Sequence, residues 1–269
     1  MLDVLDIAKT SALAGGLILH DRRRDMGVIR SKSSRTDFVT EADVASGVAI
    51  VSAILEQDPS ARILVEEQEV YGLLGIEKAT LGQGDVWVID PLDGTTSFIH
   101  DYPTYSVSVA LVRDTTPIAG AVYNAATREM SAGALGIGAT REGVPIHVAD
   151  AEAIQDALMI TGFPYDRGEP LTRQLEVLAA FLRAPVHGIR RDGSAAVDCC
   201  HVAAGCADGF WEYALQPWDM AAGVIIAREA GAQVSDITGA EWTALSTSII
   251  VANPVLHAEM KSLITGVSG

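Results

Sequence analysis

Residues 87–98 read Trp-Val-Ile-Asp-Pro-Leu-Asp-Gly-Thr-Thr-Ser-Phe and contain the side chains with the clearest chemical potential. An apolar strand predicted at 86–89 leads into two carboxylates, Asp90 and Asp93, and Pro91 between them restricts the backbone. Small residues with free backbone N–H groups follow: Gly94, Thr95 and Thr96. Carboxylates bind hard divalent cations, and N–H groups bind phosphate. The pattern therefore predicts metal-assisted phosphoryl chemistry.

A simpler interpretation of this segment stays open, because Asp-Gly is a common turn pair and Asp93 could cap a following helix. The complete string is more specific, since it combines a strand, two acids, a proline, a glycine and two hydroxyl groups in one order. Two carboxylates are nevertheless too few for a metal site. Hard cations take about six oxygen ligands, and two clustered ions need a bridging acid. Further acids must come from other segments.

Glu66 and Asp219 are the first two candidates. Glu66 and Glu67 follow an apolar strand predicted at 63–65, and sites in α/β sheets form at the carboxyl ends of strands. An exposed acidic loop is the alternative. Asp219 opens a predicted helix, where it could simply be an N-terminal cap. Gly223 and the neighbouring alanines indicate that this helix packs against another backbone, which would aim Asp219 at a fixed point.

Asp43 is the third candidate. It ends the segment 32–43, in which Thr40-x-x-Asp43 is a capping-box pattern that needs no active site. An acid hydrogen-bonded to a threonine could equally orient a water molecule for attack on phosphorus. Both interpretations stay open on the sequence alone.

Length and charge limit the function classes. The chain has 269 residues, enough for one large or two modest domains, and 49% of them are apolar. Its formal net charge of −16 argues against nucleic-acid binding, which depends on Lys and Arg neutralising phosphates. A small anionic substrate fits this charge only when cations lie between substrate and protein, which again favours metal ions.

Cysteine usage and hydropathy indicate the compartment. Cys199, Cys200 and Cys206 cluster without metal-finger spacing and are predicted to be buried thiols in a reducing cytoplasm. No run of the sequence approaches the roughly 18 apolar residues of a membrane-spanning helix. Acidic residues precede the short apolar stretch 11–19, where a secretory signal would carry positive charge, so a helix is predicted there. We therefore expect a cytoplasmic protein without membrane contact.

Apolar periodicity predicts the elements that hold these side chains. Helices are predicted at 2–24, 41–56, 171–182, 195–204, 220–230 and from 255 onward. Strands are predicted at 63–65, 86–89, 105–112, 118–123, 130–135, near 146, 158–161, 209–213 and 248–251, with an exposed loop at 73–84. A strand-rich half followed by an alternating half indicates two fused α/β units, an N-terminal lobe at 1–148 and a C-terminal lobe at 149–269.

The acidic segments together resemble the inositol monophosphatase family of magnesium-dependent, lithium-sensitive phosphatases, over nearly the whole chain. Residues 90–96, Asp-Pro-Leu-Asp-Gly-Thr-Thr, match the first family signature. Residues 218–223, Trp-Asp-Met-Ala-Ala-Gly, with Glu-Ala-Gly at 229–231, match the second. Segments 32–43 and 66–67 resemble further family motifs. The resemblance implies an α/β fold, the layered αβαβα sandwich of the inositol monophosphatase and fructose-1,6-bisphosphatase type.

The resemblance also implies roles for individual residues. The implied metal ligands are Glu66, Asp90, the Leu92 carbonyl, Asp93 and Asp219. The implied catalytic residues are Thr95, Asp43, Glu66 and Asp90. The implied substrate contacts are Asp93, Gly94, Thr95, Gly193, Ser194, Ala195, Glu212 and Asp219. In this scheme Asp90 bridges two ions, and Thr95, backed by Asp43, orients the water that attacks phosphorus.

The implied activity is hydrolysis of inositol monophosphate or a similar small polyol phosphate, with two or three Mg²⁺ ions, Mn²⁺ as a substitute and Li⁺ as an inhibitor. Phosphatases for histidinol phosphate, 3′-phosphoadenosine 5′-phosphate or fructose bisphosphate are alternatives, as is a regulatory protein that partners a transcription complex. Specificity is expected to depend on loops near 160–170 and 185–195. The family also implies a homodimer. Four places depart from the family pattern without removing an implied ligand: Val65, Ser97, Asp101 and 140–143.

Overall fold

The structure is a computed structural model that describes residues 1–31 and 38–267. Residues 32–37, the first half of one acidic motif, lie outside the described residues. The helices are α1 (Leu2–Arg22), α2 (Glu41–Gln57), α3 (Gln68–Leu74), α4 (Thr95–Ile99), α5 (Glu169–Arg183), α6 (Ala195–Ala203), α7 (Pro217–Glu229) and α8 (Pro254–Val267), with a 3₁₀ helix at Ile154–Asp156. The strands are β1 (Ile29–Ser31), β2 (Phe38–Thr40), β3 (Ile63–Val65), β4 (Asp85–Asp93), β5 (Ser106–Arg113), β6 (Thr116–Asn124), β7 (Glu129–Ala134), β8 (Gly138–Arg141), β9 (Val144–Pro145), β10 (Leu158–Thr161), β11 (Gly188–Arg190), β12 (Gly209–Tyr213), β13 (Gln233–Ser235) and β14 (Ser248–Ala252).

Two mixed sheets organise the described chain. The larger has the order β3-β4-β5-β6-β7-β8-β9, in which β3 and β4 are parallel and the later neighbours are antiparallel. The smaller has the order β11-β10-β12-β14-β13, with parallel pairs on both sides of β10 and antiparallel pairs on both sides of β14. Strands β1 and β2 form a separate antiparallel pair. Because β3 and β4 are parallel, Glu66 after β3 and the two aspartates in the last part of β4 lie at the same end of the strands.

Helices form three layers around the two sheets. Buried residues of α1 and α2 pack on the outer face of the larger sheet, those of α6 and α7 lie between the sheets, and those of α5 and α8 cover the outer face of the smaller sheet. This order of layers confirms the predicted αβαβα sandwich. The predicted lobe boundary at 148 falls between β9 and the 3₁₀ helix, and the division into lobes stays a prediction.

Helix α7 is covered on opposite faces, because it lies between two sheets. Its residues 220–227 are all buried. A Cβ atom added to Gly120 of β6 would lie 2.8 Å from Cα of Ala222, and one added to Gly223 would lie 2.5 Å from Cβ of Cys199 in α6. The expectation that Gly223 marks a closely packed helix is therefore confirmed.

The long predicted helices and strands agree with the structure to within a few residues at their ends. Eight short elements of the described residues are not among the predictions: β1, β2, α3, α4, β8, the 3₁₀ helix, β11 and β13. Each is too short for apolar periodicity to identify, and the strands among them exist only because a partner strand supplies their hydrogen bonds.

Three details qualify the sequence interpretation. Cys199 and Cys200 are buried as predicted, but the prediction is wrong for Cys206, which is exposed because it lies beyond the end of α6.

Glu142 and Gly143 both have positive φ in the β8–β9 turn, so Glu142 adopts there a backbone conformation more usual for Asn. No helix within 1–31 and 38–267 is both long and apolar enough to cross a membrane.

The close contact between β6 and α7 predicts that Gly120→Ala destabilises the protein by about 1–3 kcal/mol, because the new methyl group meets the Ala222 backbone, which cannot rotate away, as well as the Ile225 side chain. The free energy of unfolding from urea titration measures this. Gly72→Ala is the matched control: a Cβ there would meet no atom within 4 Å among the described residues, so this variant is expected to be as stable as the wild type or more stable. Equal stabilities for Gly120→Ala and wild type would contradict the packing described here.

Candidate active site

The acidic motif lies at the end of β4, where the strand bulges. Asp90 pairs with Ser108 of β5 and Asp93 pairs with Ser106, so three steps along β4 correspond to two steps along β5. Side chains alternate between the faces of a regular strand, which would place residues three apart on opposite faces. The extra residue in β4 allows both carboxylates to line the same cavity.

Asp93 is held from across the cavity by α6. Its Oδ2 atom accepts hydrogen bonds from the Ser194 hydroxyl at 2.7 Å and from the backbone N–H of Ala196 at 2.8 Å. Ser194 also caps α6, and its Oγ lies 3.0 Å from Oγ of Ser106. Ser194 is 1% exposed, so its hydroxyl positions Asp93. The predicted contact of Ser194 with substrate stays a prediction.

Gly94 has a φ of 92°, a left-handed conformation that favours glycine. A Cβ atom there would lie 2.9 Å from the carbonyl oxygen of Gly193 and 3.1 Å from that of Thr104. Helix α4 begins at the next residue, Thr95. Two segments predicted to bind substrate, around 94 and around 193, are therefore in direct contact.

Asp43 connects α2 to the acidic motif. Its Oδ2 atom accepts hydrogen bonds from the Thr40 backbone N–H at 2.8 Å and from the Thr40 hydroxyl at 2.6 Å, within the predicted capping box of α2. Its Oδ1 atom accepts a hydrogen bond from the Thr95 hydroxyl at 3.1 Å. All three residues are buried. The cap and the contact with Thr95 therefore coexist in one carboxylate.

Glu66 and Asp219 complete the acidic group. Glu66 follows β3, and its backbone N–H donates to the carbonyl oxygen of Ile89 at 3.1 Å, which extends the β3–β4 pairing to the start of the motif. Asp219 lies in the first turn of α7, where its Oδ2 accepts a hydrogen bond from the Gln216 backbone N–H at 2.7 Å. The N-cap of α7 is Gln216, and Asp219 contributes to the capping as the third residue of the helix, in a capping box. Asp219 also lines the cavity with Glu66.

One cavity of about 100 Å³ collects most of the predicted site residues. Those that line it are Glu66, Asp90, Leu92, Asp93, Gly94, Thr95, Gly193, Ala195, Glu212 and Asp219. The other two, Asp43 and Ser194, are buried beside it and hydrogen-bond to Thr95 and Asp93, respectively.

Six further residues line the cavity without being individually predicted: Phe38, Gly162, Phe163, Tyr165, Arg191 and Leu215. Four of them belong to the two loops that the sequence predicts to govern specificity, after β10 and before α6. The carboxylate of Glu212 packs directly against Gly162, so that a Cβ atom at position 162 would require this carboxylate to move. Position within these loops is the sequence signal that points to these four residues, and it does not extend to Phe38 or Leu215.

Burial and mutual repulsion raise the pKa values of the acids in this cavity. The pKa of Asp93 is raised to about 6, chiefly by burial and further by the charge of Glu66, against the effect of its hydrogen bonds to α6. Burial and the charge of Asp93 raise the pKa of Glu212 to about 8, and Arg191 opposes this rise. Burial and the charges of Asp93 and Glu66 raise the pKa of Asp219 well above its usual value. Perturbed acids in one cavity are typical of a functional site.

The donor set of the cavity fits a hard divalent cation. It consists of four carboxylates, on Glu66, Asp90, Asp93 and Asp219, together with the carbonyl oxygen of Leu92. The Thr95 hydroxyl lies within hydrogen-bond distance of this carbonyl, at 3.2 Å, and of Asp43, but its single hydrogen can be donated to only one of them at a time. A second lone pair on the carbonyl oxygen leaves room for a further interaction. Oxygen donors without imidazole or thiolate favour Mg²⁺ over softer ions. Cations would also relieve the repulsion between the acids.

Comparison with known proteins identifies the family of the chain. Residues 1–267 match the family model described as the inositol monophosphatase family. The chain belongs to the inositol monophosphatase family. This confirms the resemblance found in the sequence, and with it the predicted class of phosphoric monoester hydrolases.

Curated members of the family match most of the chain. The protein named phosphatase IMPL1, chloroplastic, of Arabidopsis thaliana is 40% identical over 84% of this chain, and the chain spans only 60% of that protein's length. The inositol-1-monophosphatase of a Synechocystis species is 37% identical over 95% of this chain and 86% of its own length. The protein of Escherichia coli named Nus factor SuhB is 36% identical over 94% of this chain and 92% of its own length.

Solved structures of the family have the same fold. The inositol monophosphatase of an Anabaena species superimposes with a TM-score of 0.84 at 32% sequence identity, and the alignment covers 98% of this chain and 96% of that one. The agreement extends over both sheets and all three helical layers described above.

The raised pKa of Glu212 predicts a pH-dependent stability. The Glu212 carboxyl binds its proton more tightly in the folded protein than in the unfolded chain. The stability that this group contributes is therefore fully present below about pH 4.5 and is lost as the pH rises through about 8. In the presence of a metal chelator, the free energy of unfolding should fall less steeply with rising pH in Glu212→Gln than in the wild type. The two slopes should differ by up to about 1.4 kcal/mol per pH unit. Urea titrations between pH 5 and pH 8 measure both slopes. The control Glu77→Gln changes an exposed glutamate and should keep the wild-type slope; an unchanged slope in Glu212→Gln would contradict the raised pKa.

Proposed function

We propose that the chain is a Mg²⁺-dependent phosphomonoesterase that hydrolyses inositol monophosphate or a similar small polyol phosphate through attack of water on phosphorus. The observation that carries the proposal is that four acidic residues from three distant segments, Glu66, Asp90, Asp93 and Asp219, line one cavity together with Leu92 and the left-handed turn at Gly94. Family membership supports the same chemistry.

The acids Glu66, Asp90, Asp93 and Asp219, with the Leu92 carbonyl, would hold two or three Mg²⁺ ions, and Asp90 would be the shared ligand. Bound ions of this kind neutralise the phosphate, lower the pKa of a water molecule and stabilise the leaving alkoxide. A protein with a net charge of −16 needs such cations to accept an anionic substrate.

Thr95 would orient the attacking water. Its single hydroxyl hydrogen would point to Asp43 Oδ1, at 3.1 Å, and not to the Leu92 carbonyl that a cation would use, and Thr40 donates to the other oxygen of the Asp43 carboxylate. The lone pairs of the Thr95 oxygen are then free to accept a hydrogen bond from water and to fix its position. This arrangement gives Thr95 a defined polarity that an isolated hydroxyl would lack.

The remaining cavity residues would bind the two ends of the substrate. Backbone N–H groups at Gly94 and Thr95 would contact the phosphate, as N–H groups at the start of a helix do in other phosphate sites. Glu212 lies against Gly162 and would contact hydroxyl groups of the polyol, together with Ala195 at the start of α6. A carboxylate pairs well with ring hydroxyl groups because it accepts several hydrogen bonds at once.

Phosphatases for histidinol phosphate, 3′-phosphoadenosine 5′-phosphate or fructose bisphosphate share this scaffold and stay as alternatives. A regulatory role is a further alternative, because relatives such as the Escherichia coli protein carry the name Nus factor. The net charge of −16 argues against direct RNA contact. A homodimer, inhibition by Li⁺, use of Mn²⁺ and a cytoplasmic location remain predictions drawn from the family.

A phosphate-release panel with Mg²⁺, with and without Li⁺, tests the substrate class. Its substrates are inositol 1-phosphate, histidinol phosphate, 3′-phosphoadenosine 5′-phosphate and fructose 1,6-bisphosphate. The highest kcat/KM is expected for inositol 1-phosphate. Preference for any of the other three would overturn the polyol assignment, and hydrolysis of none, together with recovery of a transcription factor on the purified chain, would favour the regulatory alternative.

Asp90→Asn is expected to abolish Mg²⁺-dependent turnover, because it removes the charge of the shared ligand while it keeps the shape of the side chain. Circular dichroism and the thermal midpoint should show that the variant is folded. Asp150→Asn, which changes an exposed aspartate, should keep wild-type activity. Near-normal turnover in Asp90→Asn would refute the shared-ligand role.

Thr95→Ala is expected to lower kcat by about 10²–10⁴-fold with a smaller change in KM, since it removes the group that positions the water. Steady-state kinetics at saturating Mg²⁺ measure both parameters. Thr96→Ala is the matched control, because this neighbouring threonine is not among the described residues that line the cavity. Equal effects of the two substitutions would mean that loss of activity reflects damage to α4 instead.

A further inference from the structure

Asp198 is a buried carboxylate that the active site does not use. It lies in α6 and is 1% exposed. Within the described part of the chain, neither of its carboxylate oxygens has a hydrogen-bond partner. Buried polar groups nearly always have partners, and a buried charge without one is strongly disfavoured. The position therefore calls for an additional group that satisfies this carboxylate.

Two further metal-binding side chains face the same point. Asp192, from the loop between β11 and α6, and His201, one helical turn after Asp198, each place a donor atom there, and the three donor atoms lie within 4.8 Å of one another. Residues three apart on a helix share a face, which explains why Asp198 and His201 meet. Asp192 and His201 are half-buried, so the cluster is reachable from solvent.

The surrounding charges favour a cation at this point. Asp198 faces the negative groups Glu212, Asp192 and Asp93 and one positive group, Arg191. Burial, followed by these three acids, raises the pKa of Asp198 well above its usual value. Either a proton or a metal cation can neutralise such a group.

The imidazole of His201 is in the form that binds metal. Burial, together with the positive charge of Arg141, lowers its pKa, against the effects of Asp192 and Glu129. A lowered pKa keeps the ring neutral near pH 7, and the neutral ring has a lone pair to donate. A metal ion at this point would use both the carboxylate of Asp198 and the lone pair of the imidazole.

We propose that Asp192, Asp198 and His201 form a second cation site, for a divalent transition ion such as Zn²⁺, separate from the carboxylate cavity. The mixture of two carboxylates and one imidazole suits Zn²⁺, Co²⁺ or Mn²⁺ better than Mg²⁺, which prefers oxygen ligands alone. A tetrahedral shell at about 2.0–2.1 Å separates its ligand atoms by about 3.4 Å, so the three donors need to close by at most about 1.5 Å. The two half-buried side chains can make that movement.

A bound ion would tie the loop before α6 to the helix itself. Asp192 is adjacent to Gly193, whose carbonyl oxygen lies beside Gly94 in the active-site cavity. The ion would therefore stabilise the folded state independently of the Mg²⁺ ligands, and this stabilisation gives a readout other than activity.

Calorimetric titration with Zn²⁺ in excess Mg²⁺ tests the proposal on the full chain. The wild type is expected to bind one more Zn²⁺ per chain than His201→Gln, and binding of that additional ion should raise the thermal midpoint of the wild type but not that of His201→Gln. Asp192→Asn, at a half-buried position, should bind this additional Zn²⁺ at least tenfold more weakly than the wild type. This second variant keeps the test valid if His201→Gln folds poorly. Asp90→Asn should retain it, because this variant alters only the carboxylate cavity.

His187→Gln is the matched control. His187 also lies near a carboxylate, with Nε2 at 4.0 Å from Oδ1 of Asp156, but both side chains are exposed. This variant should bind Zn²⁺ as the wild type does. Equal Zn²⁺ stoichiometry in wild type, His201→Gln and Asp192→Asn would overturn the proposal and would mean that Asp198 is neutralised by a proton. A crystal soaked in Zn²⁺ gives an independent test. An anomalous peak in the carboxylate cavity, with none between Asp192, Asp198 and His201, would also overturn the proposal.

Discussion

The electrostatic cost of holding several carboxylates in one cavity is the constraint on which the rest of this structure depends. Desolvation and mutual repulsion raise the pKa of Asp93 to about 6 and that of Glu212 to about 8, and Asp219 is affected in the same direction. Acids that repel one another stay together only when the surrounding backbone is rigid. Cations relieve this repulsion. The repulsion that destabilises the cluster of carboxylates therefore favours the binding of metal ions.

The layered fold supplies that rigidity. Helices α6 and α7 lie between the two sheets, and both begin at the cavity, where Ala196 donates to Asp93 and Asp219 caps α7. The contact of Gly120 with Ala222 shows how closely α7 is packed. A helix held this tightly cannot shift away from the charges at its first turn, and its dipole favours negative charge there. Packing in the middle layer therefore fixes the electrostatics at its end.

Two residues show that structural and functional interpretations of one motif need not compete. Asp43 and Asp219 each accept a backbone N–H at the start of a helix, as the third residue of a capping box, so both have the local role in helix capping that the sequence allows. A carboxylate has two oxygens, and a cap needs only one of them. In Asp43 the second oxygen accepts the Thr95 hydroxyl, which links the start of α2 to the acidic motif. Evidence for a cap in a sequence is thus not evidence against a site.

Local order along the chain was enough to predict the acidic motif, the long helices and strands, the family and, through the family, the five-layer fold. Periodicity and signature residues are properties of short segments, so they can be recognised without knowing what the segments contact. Tertiary structure alone decided that a bulge puts Asp90 and Asp93 in one cavity, that Ser194 holds Asp93, and that Asp198 is buried without a hydrogen-bond partner among the described residues. Each of these features depends on strand register or on burial against a segment that is distant in the sequence. Such contacts produce no local pattern by which the sequence alone could predict them.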